Sequence, residues 1–130
     1  KRYHFIFDGL RQYGAKWDMI GLSVYPYWDQ RANLTTSDDE TLEKCVANIN
    51  ALYERYQTPM MIVETGYEVT RPEAGKAFMK QLISAAATQT GGHCHGVFYW
   101  APELEHHYPL GAFKDHRPTA IMEAFTEARP

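Results

Sequence analysis

Glu64 stands in the setting that most calls for chemistry. It directly follows Met60-Met61-Ile62-Val63, and a carboxylate at the mouth of an apolar strand is costly unless something pairs or uses it. On that pattern alone two readings stand level: a salt-bridged strand-end glutamate, or a nucleophile or acid/base group at the edge of a cleft. Strand alternation sets Ile62 and Glu64 on one face and Met61 and Val63 on the other, so Glu64 points into the cleft if the first pair faces inward. Two further segments end in side chains suited to sugars, Ser23-Val24-Tyr25-Pro26-Tyr27-Trp28 and Phe98-Tyr99-Trp100-Ala101-Pro102-Glu103. Flat rings accept the C–H faces of a sugar, although the same rings also serve simply to fill a core.

Other constellations carry less. Five histidines fall late in the chain, His93, His95, His106, His107 and His116, beside Cys94. Their spacing matches no structural zinc motif, so no metal is expected, and the sugar hydrolysis considered below needs no cofactor. Ser23 lacks the Gly-x-Ser-x-Gly elbow of a serine hydrolase. Cys45 and Cys94 are too few for a disulfide scaffold and read as small buried thiols.

The elements that must carry these residues alternate. Tyr3 to Tyr13 has a helical pattern in which Phe5, Ile6, Leu10 and Tyr13 share a face, with Gly14 as the stop. Lys16 to Tyr25 reads as a buried strand halted by Pro26, and a polar loop runs on to Thr36. Ser37 and Glu40 form a capping box for a helix to about Gln57, with a stripe of Leu42, Cys45, Val46, Ile49, Leu52, Tyr53 and Tyr56. Met60 to Thr65 is a second buried strand. Thr70 with Glu73 is expected to cap a helix through Phe78, Leu82, Ile83 and Ala86. Gly96 to Trp100 is a third strand, and Arg117-Pro118 is expected to open a last helix.

Short, continuously apolar strands between amphipathic helices imply a parallel sheet covered by helices. A complete eight-stranded barrel needs at least ~200 residues, and this chain has 130. The expectation is therefore α/β: three βα units, the C-terminal half of a (β/α)8 barrel, with 1–130 as one partial domain. Such a half-barrel exposes sheet edges and invites self-association. The chain opens at Lys1 inside a helical pattern, without Met or signal peptide, which leads us to expect an upstream part.

Composition bounds the rest. Hydrophobic residues make up 45% and charged residues 22%, with a net charge of −3, which fits a packed core and offers no basic stripe for nucleic acid. No apolar run is long enough to cross a bilayer.

Three motifs then agree in order. Asp18-Met19-Ile20-Gly21-Leu22-Ser23-Val24-Tyr25-Pro26 followed by Trp28 resembles the sixth strand of glycoside hydrolase family 53, the endo-β-1,4-galactanases. Ile62-Val63-Glu64-Thr65-Gly66-Tyr67 resembles its seventh strand, and Gly96-Val97-Phe98-Tyr99-Trp100 its eighth. The resemblance implies a retaining endo-β-1,4-galactanase acting on galactan or galacto-oligosaccharides, with Glu64 as nucleophile and Trp100 as the aromatic floor beneath the sugar. It also implies Tyr25 beside the carboxylate, Trp28 lining the cleft, and an extracellular or periplasmic parent.

The family's acid/base glutamate follows an Asn at the end of the fourth strand, and no Asn-Glu pair occurs here. The chain alone is therefore expected to be inactive; Glu68 and Glu103 lie in loops that do not match. Ala101 stands where the family carries an acidic residue, and the 101–117 stretch lacks a calcium-loop spacing, so no calcium is expected. Rival readings are a mannanase or cellulase of the same clan, and a non-catalytic carbohydrate-binding half-barrel.

Overall fold

The computed structural model describes residues 2–128. Its ten elements are α1 (Arg2–Gln12), β1 (Ile20–Val24), α2 (Pro26–Arg31), α3 (Asp38–Tyr56), β2 (Met60–Thr65), α4 (Pro72–Thr88), β3 (Cys94–Val97), β4 (Phe113–Lys114), β5 (Arg117–Pro118) and α5 (Ala120–Glu127). The first three strands form a parallel sheet in the order β1-β2-β3. Helices cover one side of it, as the apolar runs require.

On that side Ile20, Leu22 and Val24 of β1 and Met60 and Ile62 of β2 are buried against Cys45, Ile49 and Leu52 of α3 and Phe78, Met79 and Leu82 of α4. Each of the Ile, Leu, Val, Met and Phe side chains contributes about 1.5–3 kcal/mol through removal from water. The opposite side of the sheet is open: Gly21, Ser23 and Val63 are exposed there. A Cβ on Gly21 would come within 2.9 Å of Val63 Cγ2, so the close packing of β1 on β2 requires the glycine.

The helix starts follow local chemistry, with three departures from the sequence expectation. Ser37 caps α3, its Oγ accepting from Glu40 N at 3.1 Å. Glu40 does not complete the reciprocal box; its carboxylate accepts from Thr36 N and Thr36 Oγ1 and pairs with Lys44 Nζ at 2.8 Å. Thr70 does not cap α4: the N-cap is Arg71, and Pro72, with its fixed φ and no N–H to satisfy, begins the helix. Arg117-Pro118 does not open α5 either. It forms β5, antiparallel to β4, with Asp115 and His116 both at positive φ in the two-residue turn between them. Thr119 is the N-cap of α5.

Strand ends shift as well. β1 starts only at Ile20, where Ile20 N finds Pro59 O at 3.0 Å. β3 ends at Val97, but the bonds Phe98 N to Ile62 O and Trp100 N to Thr65 O carry the pairing on irregularly. The stretch expected as a polar loop contains α2, opened by Pro26.

The largest correction concerns α1. The face expected to be apolar and packed is turned outward, with Phe5 83% and Tyr13 88% exposed and Ile6 and Leu10 also open. Tyr3 and Phe7 pack inward instead, Phe7 lying 5.4 Å from the Trp17 ring and 5.6 Å from Tyr56. Asp8 fixes that rotation through bonds from Arg55 Nε and Nη2 and from Tyr56 OH at 2.9, 2.7 and 2.8 Å. These bonds, led by that of Arg55, hold the Asp8 carboxyl at about 2.

Candidate active site

The C-terminal ends of β1, β2 and β3 lie side by side because the sheet is parallel. Glu64 sits on the middle strand and reaches the open side through an irregularity. Between Leu22↔Ile62 and Ser23↔Glu64 the register steps by one, so Val63 is an extra residue on β2. A bulge of this kind re-aims the side chain that follows it. Ile62 and Glu64 therefore do not share a face, contrary to simple alternation: Ile62 is buried under the helices, while Glu64 faces Ser23 on the open side.

There Ser23 Oγ donates to Glu64 Oε2 at 3.2 Å and Tyr25 OH donates to the same oxygen at 3.4 Å. The latter is long for a phenol–carboxylate bond, as expected of a site without substrate. Both donors address Oε2, and no hydrogen bond is recorded to Oε1 among the described residues. Burial first, and then the neighbouring Tyr108 and Glu64, push the Tyr25 phenol well above its ordinary range, so it stays protonated and a donor at neutral pH.

Behind the carboxylate the backbone is locked. Tyr99 OH accepts from Tyr67 N at 2.9 Å and is within hydrogen-bonding reach of Leu110 O and Gly111 O at 2.9 and 3.1 Å. Tyr67, buried just past the strand, donates from its hydroxyl to Asp38 Oδ2 at 2.6 Å, tying the end of β2 to the start of α3. Thr65 Oγ1, next to Glu64, is buried without a hydrogen-bond partner among the described residues.

The aromatics predicted from sequence are accessible. Trp100 is 51% exposed just beyond β3, its N–H fixed to the strand carrying Glu64. Trp28 is 52% exposed on α2, edge-on to Tyr27 with ring centroids 4.7 Å apart, and no hydrogen bond joins it to Glu64. Glu68 pairs with Arg71 at 3.3 Å, and Glu103 is exposed in a loop. Among the described residues no recorded ion pair or hydrogen bond brings a second carboxylate to Glu64. Both cysteines are free and buried, and no group of three His, Cys, Asp or Glu among the described residues is placed to hold a metal ion.

Tyr99 and Tyr108 escaped the sequence reading. Tyr99 alternates within a strand-like run and carried no signal beyond its type; Tyr108 lies in an irregular stretch with no period to exploit.

A glutamate at the end of a parallel strand, one of its oxygens held by two hydroxyl donors, has the setting of a carboxylate that can do chemistry. The family comparison decides the kinship: the model of glycosyl hydrolase family 53 matches residues 1–117. The chain belongs to that family.

Its similarity to individual family-53 and related proteins is modest in identity. It is 28% identical over 119 residues to a Niallia circulans protein from the bgaB 5′ region, covering 74% of this chain and 30% of that one. It is 25% identical over 122 residues to the endo-β-1,4-galactanase of Bacillus subtilis (strain 168), covering 78% and 26%. A fungal β-1,4-galactanase structure superposes with a TM-score of 0.75 at 16% identity, covering 95% of this chain and 43% of the other. The chain thus spans between a quarter and a third of the curated relatives it matches. It is thus part of a family-53 sequence, and its fold is that of part of the α/β barrel.

Proposed function

We propose that these residues form the C-terminal part, strands six to eight, of a retaining endo-β-1,4-galactanase, with Glu64 as the nucleophile. The carrying observation is the Glu64 carboxylate at the end of β2, with one oxygen bound by Ser23 and Tyr25. That arrangement leaves Oε1 to attack the anomeric carbon of a galactosyl unit while the bond to the leaving oxygen breaks. The leaving oxygen takes its proton from an acid on the opposite side. The glycosyl ester on Glu64 is then hydrolysed by water, which gives its proton back to the same group.

That second carboxyl must stand about 5–5.5 Å from Glu64. Glu68 is paired with Arg71 and Glu103 is exposed in a loop, and we assign the acid/base role to a glutamate in an N-terminal part of the barrel. The isolated chain then lacks useful activity and presents open sheet edges through which copies associate. Trp100 floors the subsite next to Glu64, with Tyr25 beside the carboxylate and Trp28 further along the cleft. The substrate is β-1,4-galactan or its oligosaccharides, and the parent enzyme works in an extracellular or periplasmic setting.

The test compares galactan hydrolysis by the full-length enzyme, by its Glu64→Gln variant and by the 130-residue chain alone. Cleavage by the unmutated full-length enzyme only, with retained anomeric configuration, supports the proposal. Cleavage of mannan or cellulose but not galactan keeps the nucleophile and removes the substrate.

A further inference from the structure

One continuous chain of polar side chains crosses the C-terminal ends of the three parallel strands, and Asp38 is its centre. Gln30 Nε2, on the short helix that follows β1, donates to Asp38 Oδ1 at 2.8 Å. Tyr67 OH, just past the end of β2, donates to Asp38 Oδ2 at 2.6 Å. The Tyr67 N–H then donates to Tyr99 OH at 2.9 Å, and that hydroxyl reaches Leu110 O in the stretch after β3.

Asp38 is suited to hold both donors. It is the first residue of α3, where the free N–H groups of the helix favour a carboxylate, and each of its two oxygens takes one bond. Burial first, and then the bond to Asp38, push the Tyr67 phenol well above its ordinary range, so it remains a donor at neutral pH. Bonds to a charged acceptor are roughly twice as strong as neutral ones.

The aromatic pair on α2 leans on this clamp. Tyr27, Gln30, Asp38, Tyr67 and Arg71 close around one hollow of about 10 Å³, and Trp28 stands edge-on to Tyr27 with ring centroids 4.7 Å apart. α2 has only six residues, of which Pro26 alone is buried, and so short a helix does not hold its own place. The bond from Gln30 is its one recorded side-chain hydrogen bond among the described residues.

We propose that Gln30 and Asp38 are positioning residues for substrate binding. The Asp38 carboxylate, holding Gln30 on one oxygen and Tyr67 on the other, fixes the distance from Trp28 to the end of β2 that carries Glu64. The inference rests on the proposed glycan cleft with Trp28 in its wall. Breaking the clamp lets α2 shift and weakens binding, while Ser23 and Tyr25, which precede α2, keep their bonds to Glu64.

The experiment measures kcat and KM on galactan for the full-length enzyme with Gln30→Met, Gln30→Lys, Trp28→Ala, the Gln30→Met/Trp28→Ala pair and Glu64→Gln. Gln30→Met keeps the length and removes the donor, and is expected to raise KM roughly threefold to tenfold with kcat nearly unchanged. Gln30→Lys, which restores a donor to Asp38, should return KM to near the unmutated value. Once Trp28 is Ala, Gln30→Met should add nothing. An unchanged KM in Gln30→Met or in Trp28→Ala, or the same loss from Gln30→Met in both backgrounds, overturns the proposal. A Glu64→Gln variant that still cleaves fells the nucleophile reading alone; an inactive one beside a silent Gln30→Met fells this inference alone.

Discussion

Ser23 and Glu64 stand opposite one another only because β2 carries one residue more than β1 at this point: the register runs Leu22↔Ile62 and then Ser23↔Glu64. Were Val63 to alternate regularly instead of forming a bulge, Glu64 would turn under the helices with Ile62, where an unpaired carboxylate is untenable. The bulge therefore does chemical service, bringing the carboxylate to the open side within 3.2 Å of the Ser23 hydroxyl.

The packing on Gly66 gives a first prediction. Gly66→Ala places a methyl 2.9 Å from Leu110 O and 3.1 Å from Tyr25 Cε1, and one of the two must move. The expected cost is about 1–3 kcal/mol of stability, together with a fall in the proposed galactan hydrolysis as Tyr25 leaves Glu64. Urea unfolding and hydrolysis rates of the full-length enzyme measure both.

Tyr99→Phe removes the acceptor for the Tyr67 N–H, which lies in a residue only 3% exposed. A buried donor left unpaired costs about 1–3 kcal/mol. Thr65→Val should behave in the opposite way. The Thr65 hydroxyl is already buried without a partner among the described residues, so replacing it with a methyl is neutral or raises stability by about 1 kcal/mol. Compared in one denaturation series, Tyr99→Phe should lose stability and Thr65→Val should lose none.

Acid should loosen α1 before the sheet. Asp8 is held at about 2, first by the Arg55 bond and then by that of Tyr56, against an ordinary 3.8. A depressed folded value means the stabilisation is complete above the unfolded value and is lost as pH falls through the folded one. Hydrogen exchange in the 2–12 segment should therefore quicken between about pH 4 and pH 2, and Asp8→Asn should abolish that step. Unchanged exchange in the native chain across this range would refute the tether.

The two thiols should be inert. Burial first, then Cys94 and Asp29, push the Cys45 thiol up to about 12, and burial raises Cys94 as well. Thiolate is the reactive form, so neither residue should be alkylated at neutral pH until the protein unfolds; rapid labelling of the native enzyme would contradict the buried placement.

How far the sequence reached depended on whether a feature was local. The bounds of β2, Met60 to Thr65, were legible because an apolar run ends at a proline on one side and a glycine on the other. The Ser37 cap was legible because it needs only residues three apart. Which side of β2 Glu64 occupies was not, since a bulge is a property of two paired strands, and periodicity within one strand cannot report it. The α1 face failed for a related reason. Its stripe of Phe5, Ile6, Leu10 and Tyr13 satisfies a helical period, but the Asp8–Arg55–Tyr56 contact with α3 sets the rotation and turns that stripe outward. The β4–β5 hairpin was hidden because its turn is made by Asp115-His116 rather than by a glycine pair, and Pro118 resembled a helix start. Tyr25 and Trp100 came from family resemblance, whereas the Tyr99 contacts with Tyr67, Leu110 and Gly111 emerge only when the loop folds back.

The most direct test of the nucleophile is to trap the ester it forms. The full-length enzyme, incubated with an activated 2-deoxy-2-fluoro-β-galactoside or galactobioside, should accumulate a covalent glycosyl adduct, and peptide mass spectrometry should place it on Glu64. An adduct on another carboxylate, or an active enzyme that yields no adduct and inverts the anomeric configuration, would contradict the assignment.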